Sequence, residues 1–174
     1  MMSIATAAQT IGPYWHLIDD PRMADLTRFG ATGEVITLLG TVTDGNGDLV
    51  TDACVEIWQA SPPVSDRFPG YGRAGTDASG TFRLTTLKPG PVPGRGNTQQ
   101  APHIAINILA RGIITRLYTR AYFEGEALNA TDPLLGMIED PARRATLMAA
   151  PGGAGIWRFD IRLQGDNETV FIDI

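Results

Sequence analysis

Glu34-Val-Ile-Thr-Leu-Leu-Gly-Thr-Val42, followed at once by Asp44-Gly-Asn-Gly-Asp48, is the stretch that decides the fold class. Apolar and small or polar residues alternate with a period of two, which puts one face of an extended chain into a core. The Gly/Asn-rich run that follows tolerates the positive φ of a tight turn, so the pair reads as a strand and its turn. Downstream, Ala53-Cys-Val-Glu-Ile-Trp58 alternates in the same way and is expected to return antiparallel. A second turn, Asp77-Ala-Ser-Gly80, leads into a strand over 81–87. Further alternating runs cover 103–109, 115–123, 157–163 and 169–174. Between them, Lys88-Pro-Gly-Pro-Val-Pro-Gly94 and residues 96–100 form a loop, because its three prolines cannot sit in a central strand. One helix is expected over 141–148, with Pro141 in its first turn and Asp140 as its cap. Short strands separated by Gly/Pro turns predict an all-β chain: an antiparallel β-sandwich over residues 34–174 behind an irregular N-terminal arm, residues 1–33.

Composition agrees with one soluble domain. The chain has 174 residues, 43% of them hydrophobic, which is enough for a core and too apolar for disorder. Net charge is −5 and there is no lysine or arginine block, so phosphate neutralisation along a nucleic acid is excluded. A single cysteine, Cys54, rules out an intrachain disulfide and any thiolate metal cluster. Residues 1–14 lack the charged and apolar regions of a signal peptide, and no run reaches the roughly 20 apolar residues of a membrane span. A cytoplasmic location is expected.

Side chains that carry chemistry are scarce. His16 and His103 are the only histidines, and the next inward position after His103 is Ala105, so no His-x-His metal pair forms. Asp44, Asp48, Glu139 and Asp140 are accounted for by turns and capping, and Cys54, inside a strand pattern, reads as a buried inert thiol. No nucleophile elbow or phosphate loop is present. Arg111, in Ala110-Arg-Gly112 between two strands, has two readings: a solvated hairpin residue, or a bidentate clamp for a carboxylate. Thr10-Ile-Gly-Pro-Tyr14 is equally open, as an arm packed on the sheet or as the wall of a neighbouring pocket.

Taken in order, several segments resemble one family. They are Gln9-Thr-Ile-Gly-Pro-Tyr14, Leu39-Gly-Thr-Val-Thr-Asp-Gly-Asn-Gly47, Val55-Glu-Ile-Trp-Gln-Ala60 and Leu87-Lys-Pro-Gly90, then Ala101-Pro-His-Ile104, Ala110-Arg-Gly112, Thr119-Arg-Ala-Tyr-Phe123 and Arg158-Phe-Asp-Ile-Arg-Leu-Gln-Gly165. Together they are similar to the intradiol ring-cleavage dioxygenases, and the resemblance runs from about residue 9 to the C-terminus. It implies a β-sandwich and an iron(III) held by two tyrosines and two histidines. The chain departs from that ligand pattern. Pro91-Val92 stands where one ligand tyrosine would be, Ala105 where the second histidine would be, and residues 61–68 contain no tyrosine.

The resemblance, with these losses, implies a subunit that binds no metal itself and serves an Fe(III)-bearing partner, the beta subunit. The implied reaction uses O2 to cleave protocatechuate (3,4-dihydroxybenzoate) between its hydroxyl-bearing carbons, giving 3-carboxy-cis,cis-muconate. It further implies that Thr10, Gly12, Pro13 and Arg111 line the substrate pocket, in a hetero-oligomer of αβ protomers. Two alternatives stay open from the residues alone: an iron-free scaffold or binding module, and a self-sufficient enzyme using His103 with carboxylates.

Overall fold

A computed structural model describes residues 5–173. Eleven strands follow in chain order: β1 (Val35–Thr43), β2 (Cys54–Trp58), β3 (Tyr71–Gly75), β4 (Thr81–Leu87), β5 (Val92–Pro93), β6 (Gln99–Gln100), β7 (His103–Leu109), β8 (Leu117–Phe123), β9 (Met148–Gly153), β10 (Ile156–Arg158) and β11 (Ile161–Arg162). Two short helices, α1 (Pro133–Met137) and α2 (Pro141–Ala145), lie between β8 and β9. Nine strands join one sheet in the order β11-β1-β10-β9-β8-β7-β2-β3, with β4 on β1, while β5 and β6 pair by themselves.

The molecule is all-β as expected, but its sheet is mixed and barrel-like. Strand β1 runs parallel to β10 and β11, and β8 runs parallel to β9. Parallel neighbours need a long crossover, and the segment from 124 to 147, carrying α1 and α2, supplies it for β8 and β9. The expected return of 53–58 alongside β1 does not occur. That place belongs to β4, in register from Val35↔Leu87 to Thr41↔Thr81, while β2 pairs with β3 and β7. After the turn the chain keeps to β1 only through the Thr43–Leu49 bridge and Val50 N–H to Val42 O, 2.9 Å, and then diverges.

Residues 157–163 form two short strands instead of one. Phe159 N–H donates to Leu39 O, and the Asp160 carboxylate turns back to accept from the Thr41 amide and hydroxyl, at 2.9 and 2.8 Å. Residues 169–173 are not a strand: Thr169 N–H bonds to Arg162 O and Ile172 N–H to Tyr118 O, so the tail straps two different strands; Ile174 lies outside the described residues. The predicted helix is present over Pro141–Ala145, with Asp140 accepting from Ala142 N–H. Helix α1, which the sequence reading misses, starts the same way at Asp132-Pro133.

Alternation builds one main core. Ile36, Leu38 and Val42 from β1 meet Phe82 and Leu84 from β4, Val55 and Ile57 from β2, Ile104, Ile106 and Ile108 from β7, and Phe123 from β8. Lys88 ties its sides together. Its ammonium sits 4.3 Å from the Phe123 ring and 4.0 Å from the Trp157 ring, and 3.1 Å from Glu126. In the arm, Trp15 and Leu26 are buried, and Leu26 N–H bonds to Thr85 O, so residues 15–26 pack on the sheet through two turns of 3-10 helix, 15–18 and 21–24.

Candidate functional site

The β7–β8 connection is a tight turn closed by Ile113 N–H to Ala110 O, with Gly112 at φ +83°. Onto this turn the arm is pinned. The Thr10 hydroxyl donates to Ala110 O at 2.8 Å, and Gly12, at φ +74°, swings the chain round so that Pro13 follows. The His16 ring donates from Nδ1 to Pro13 O at 3.0 Å, and the Trp15 indole donates to Asp52 O at 2.9 Å. Arm, hairpin turn and the segment entering β2 thereby meet around an open groove of about 570 Å³, whose lining includes Pro13, His16, Asp52, Asp77 and Arg111. The structure therefore brings Thr10, Pro13 and Arg111 together, with Gly12 as the bend between the first two.

Arg111 is 65% exposed at its side chain, and its Nε lies 2.9 Å from Asp52 Oδ2, whose own side chain is 14% exposed. That contact is an ion pair without hydrogen-bond alignment, since neither Asp52 carboxylate oxygen accepts a hydrogen bond among the described residues. On the groove's far side Asp77 accepts from the Ser79 hydroxyl and from the amides of Thr81 and Ser79, which holds its carboxyl below the usual range.

A second cluster lies where β7 begins. His103 Nδ1 donates to Ala101 O at 2.7 Å, and burial lowers the pKa of its ring, favouring the neutral form. Ala105 faces Arg120 across the ladder. The Arg120 guanidinium donates to Gln100 Oε1 at 2.7 Å and reaches the hydroxyls of Tyr118 and Tyr122 at 3.3 and 3.4 Å. Tyr122 in turn donates to Asp132 Oδ1 at 3.1 Å, while Asp132 Oδ2 accepts from Ala101 N–H at 2.8 Å. Among the described residues, no three or more His, Cys, Asp or Glu side chains come together as a metal site.

A family model described as Dioxygenase matches residues 16–165. The chain belongs to the intradiol ring-cleavage dioxygenases. It is 42% identical to the protocatechuate 3,4-dioxygenase alpha chain of Pseudomonas putida, over 97% of this chain and 96% of that one. It is 31% identical to the protocatechuate 3,4-dioxygenase beta chain of Burkholderia cepacia, over 93% of this chain and 77% of the other. Among solved structures it matches the dioxygenase domain of a dioxygenase–carbohydrate-binding fusion from Streptomyces sp. SirexAA-E, with a TM-score of 0.65, 31% identity, and 92% and 98% coverage.

Dioxygenases of this family depend on iron in general, and the residues here do not fit a ferric ion. The one imidazole in the cluster, His103, has Nδ1 engaged, Val92 and Ala105 offer no donor atom, and the half-buried Arg120 places a positive charge opposite Ala105. Sequence reasoning missed three contributors: Asp52, Trp15, and the Arg120–Tyr122–Asp132 chain. Asp52 carries no signal of its own, since an Asp just before a strand resembles any turn residue. The Asp132-Pro133 pair was a readable cap signal.

Proposed function

We propose that this chain is the iron-free alpha subunit of a protocatechuate 3,4-dioxygenase, and that it forms one wall of a substrate pocket whose iron(III) is held by the beta subunit. The observation that carries the reading is its likeness to a protocatechuate 3,4-dioxygenase alpha chain along nearly the whole of both chains. Bound iron(III) supplies the activation of the catechol toward O2 and the cleavage between the hydroxyl-bearing carbons. This chain's part is recognition. Arg111 presents N–H donors to the ring carboxylate of protocatechuate, and Thr10, Gly12 and Pro13 shape the neighbouring wall, with Thr10 fixed to the turn that carries Arg111. Residues 1–33 act as an arm reaching the beta subunit, and residues 34–174 form the family's β-sandwich body. The αβ protomers assemble into a closed, symmetric oligomer in the cytoplasm.

The test is Arg111→Ala in the assembled αβ enzyme. Loss of a carboxylate clamp raises KM for protocatechuate roughly 10-fold or more with little change in kcat, and leaves catechol, which has no carboxylate, unaffected. Unchanged kinetics with protocatechuate remove Arg111 from the pocket and leave the chain an iron-free scaffold.

A further inference from the structure

Four aspartates at turns and helix starts have an evident occupation. Asp44, Asp77 and Asp140 each accept a backbone N–H two residues ahead, and Asp132 does so at the start of α1. Asp52 is different. Both its carboxylate oxygens are buried, and neither accepts a hydrogen bond from any described residue. Burying a carboxylate in this way costs free energy, so it calls for a compensating partner. The cation within ion-pairing distance is Arg111, at 2.9 Å through Nε.

The two ends of this contact differ in rigidity. Asp52 stands on a fixed post: its carbonyl accepts the indole N–H of buried Trp15, and the next residue, Ala53, exchanges bonds with Thr76 through its N–H to Thr76 Oγ1 and its carbonyl from Thr76 N–H, each at 2.9 Å. Arg111 sits on an exposed turn, and neither of its Nη nitrogens donates a hydrogen bond to a described residue. A long arginine side chain in that setting spreads over several rotamers, and fixing it from behind removes an entropy cost that binding would otherwise carry.

We infer that Asp52 is the positioning residue of the site: it anchors Arg111 at Nε so that the Nη edge is held toward the groove for an organic carboxylate. The inference rests on the placement of Arg111 in the substrate wall. It also fixes how Arg111 works. Paired with Asp52, the guanidinium carries little net field, so recognition comes from directed donors and not from long-range attraction.

Asp52→Asn in the assembled αβ enzyme separates these possibilities by sign. The substitution adds one positive charge. If Arg111 acted as a bare charge opposed by Asp52, KM for protocatechuate would fall. Anchoring predicts the reverse: KM rises roughly 5- to 10-fold at similar kcat, and the Kd for 4-hydroxybenzoate, a carboxylated analogue that is not cleaved, rises in parallel by calorimetry. Catechol turnover stays unchanged, Asp52→Glu recovers part of the loss, and Asp52→Asn adds little on an Arg111→Ala background. An unchanged or lower KM and Kd in Asp52→Asn, with Arg111→Ala impaired, overturns the anchoring role. No effect of Arg111→Ala itself would defeat the pocket reading first, and separately. Should Asp52→Asn not assemble, Asp52→Ser decides, because it removes the carboxylate that faces Nε and leaves the Arg111 guanidinium intact. Anchoring predicts the same rise in KM for protocatechuate, and a wild-type or lower KM overturns it.

Discussion

The Cys54 thiol lies inside β2, and burial pushes its pKa up to about 12, with the nearby Glu56 charge adding to the shift. It is therefore protonated at any physiological pH, and a disulfide reagent such as DTNB will leave it untouched at about pH 8 in the folded protein and modify it fully after denaturation. Rapid labelling of the native chain would contradict this. Residues of this kind were legible in the sequence, because an apolar strand pattern around a lone cysteine, or an aspartate beside a Gly-rich turn, states its own role. Arg111 was legible only as two alternatives, since a hairpin arginine looks the same whether it faces solvent or a ligand. Asp52 was not legible at all. Its significance comes from what it fails to bond, and that is visible only when the arm, the turn and β2 are brought together.

Strands fixed by alternation, such as β4 and β7, fall where their sequence pattern puts them, but their partners do not follow from it. Period two says which face is inward and nothing about which edge is taken, so it does not reveal that β4 lies beside β1 while β2 lies between β3 and β7. The break between β10 and β11 shows the same limit: Phe159 keeps the alternation and its N–H still bonds Leu39 O of β1, but the next β1 donor, Thr41 N–H, goes to the Asp160 carboxylate instead of a backbone carbonyl. At this crossing Gly40 leaves no room for a methyl group, which would fall on the carbonyl of Phe159 and against the Phe82 ring. Gly40→Ala should lower the unfolding free energy by about 2–3 kcal/mol, read from the urea midpoint, and a neutral result would mean that β1 and the β10–β11 segment are not packed this closely. Asp160 fastens the same crossing. Burial opposes its charged form, yet hydrogen bonds from Arg158 and from the Thr41 amide and hydroxyl outweigh burial and hold the carboxyl below its usual range. Its folded pKa lies below the unfolded value, so its contribution is complete above about pH 4 and disappears as pH falls through the folded value. Asp160→Asn should thus be less stable than the parent chain near neutrality, and the gap should close on acidification; a gap independent of pH would rule out the carboxylate as its source.

At the scale of the whole molecule, the chain has a family fold in which no three His, Cys, Asp or Glu side chains come together among the described residues. Arg120, bonded to Gln100 and opposite Ala105, puts a guanidinium near the place where the family pattern would have a metal ligand. The arm and the β7–β8 turn meanwhile border an open groove whose lining includes Pro13, His16, Asp52 and Arg111. The scarcity of functional side chains was readable from composition, whereas the division of labour proposed for it rests on the ordered motifs and on the likeness to alpha chains. Metal analysis tests that division most directly, by iron quantification with a ring-cleavage assay on this chain purified alone and on the αβ assembly. The account predicts iron and cleavage of protocatechuate only in the assembly, with iron in proportion to the beta subunit. Stoichiometric iron and ring cleavage in this chain by itself would contradict it.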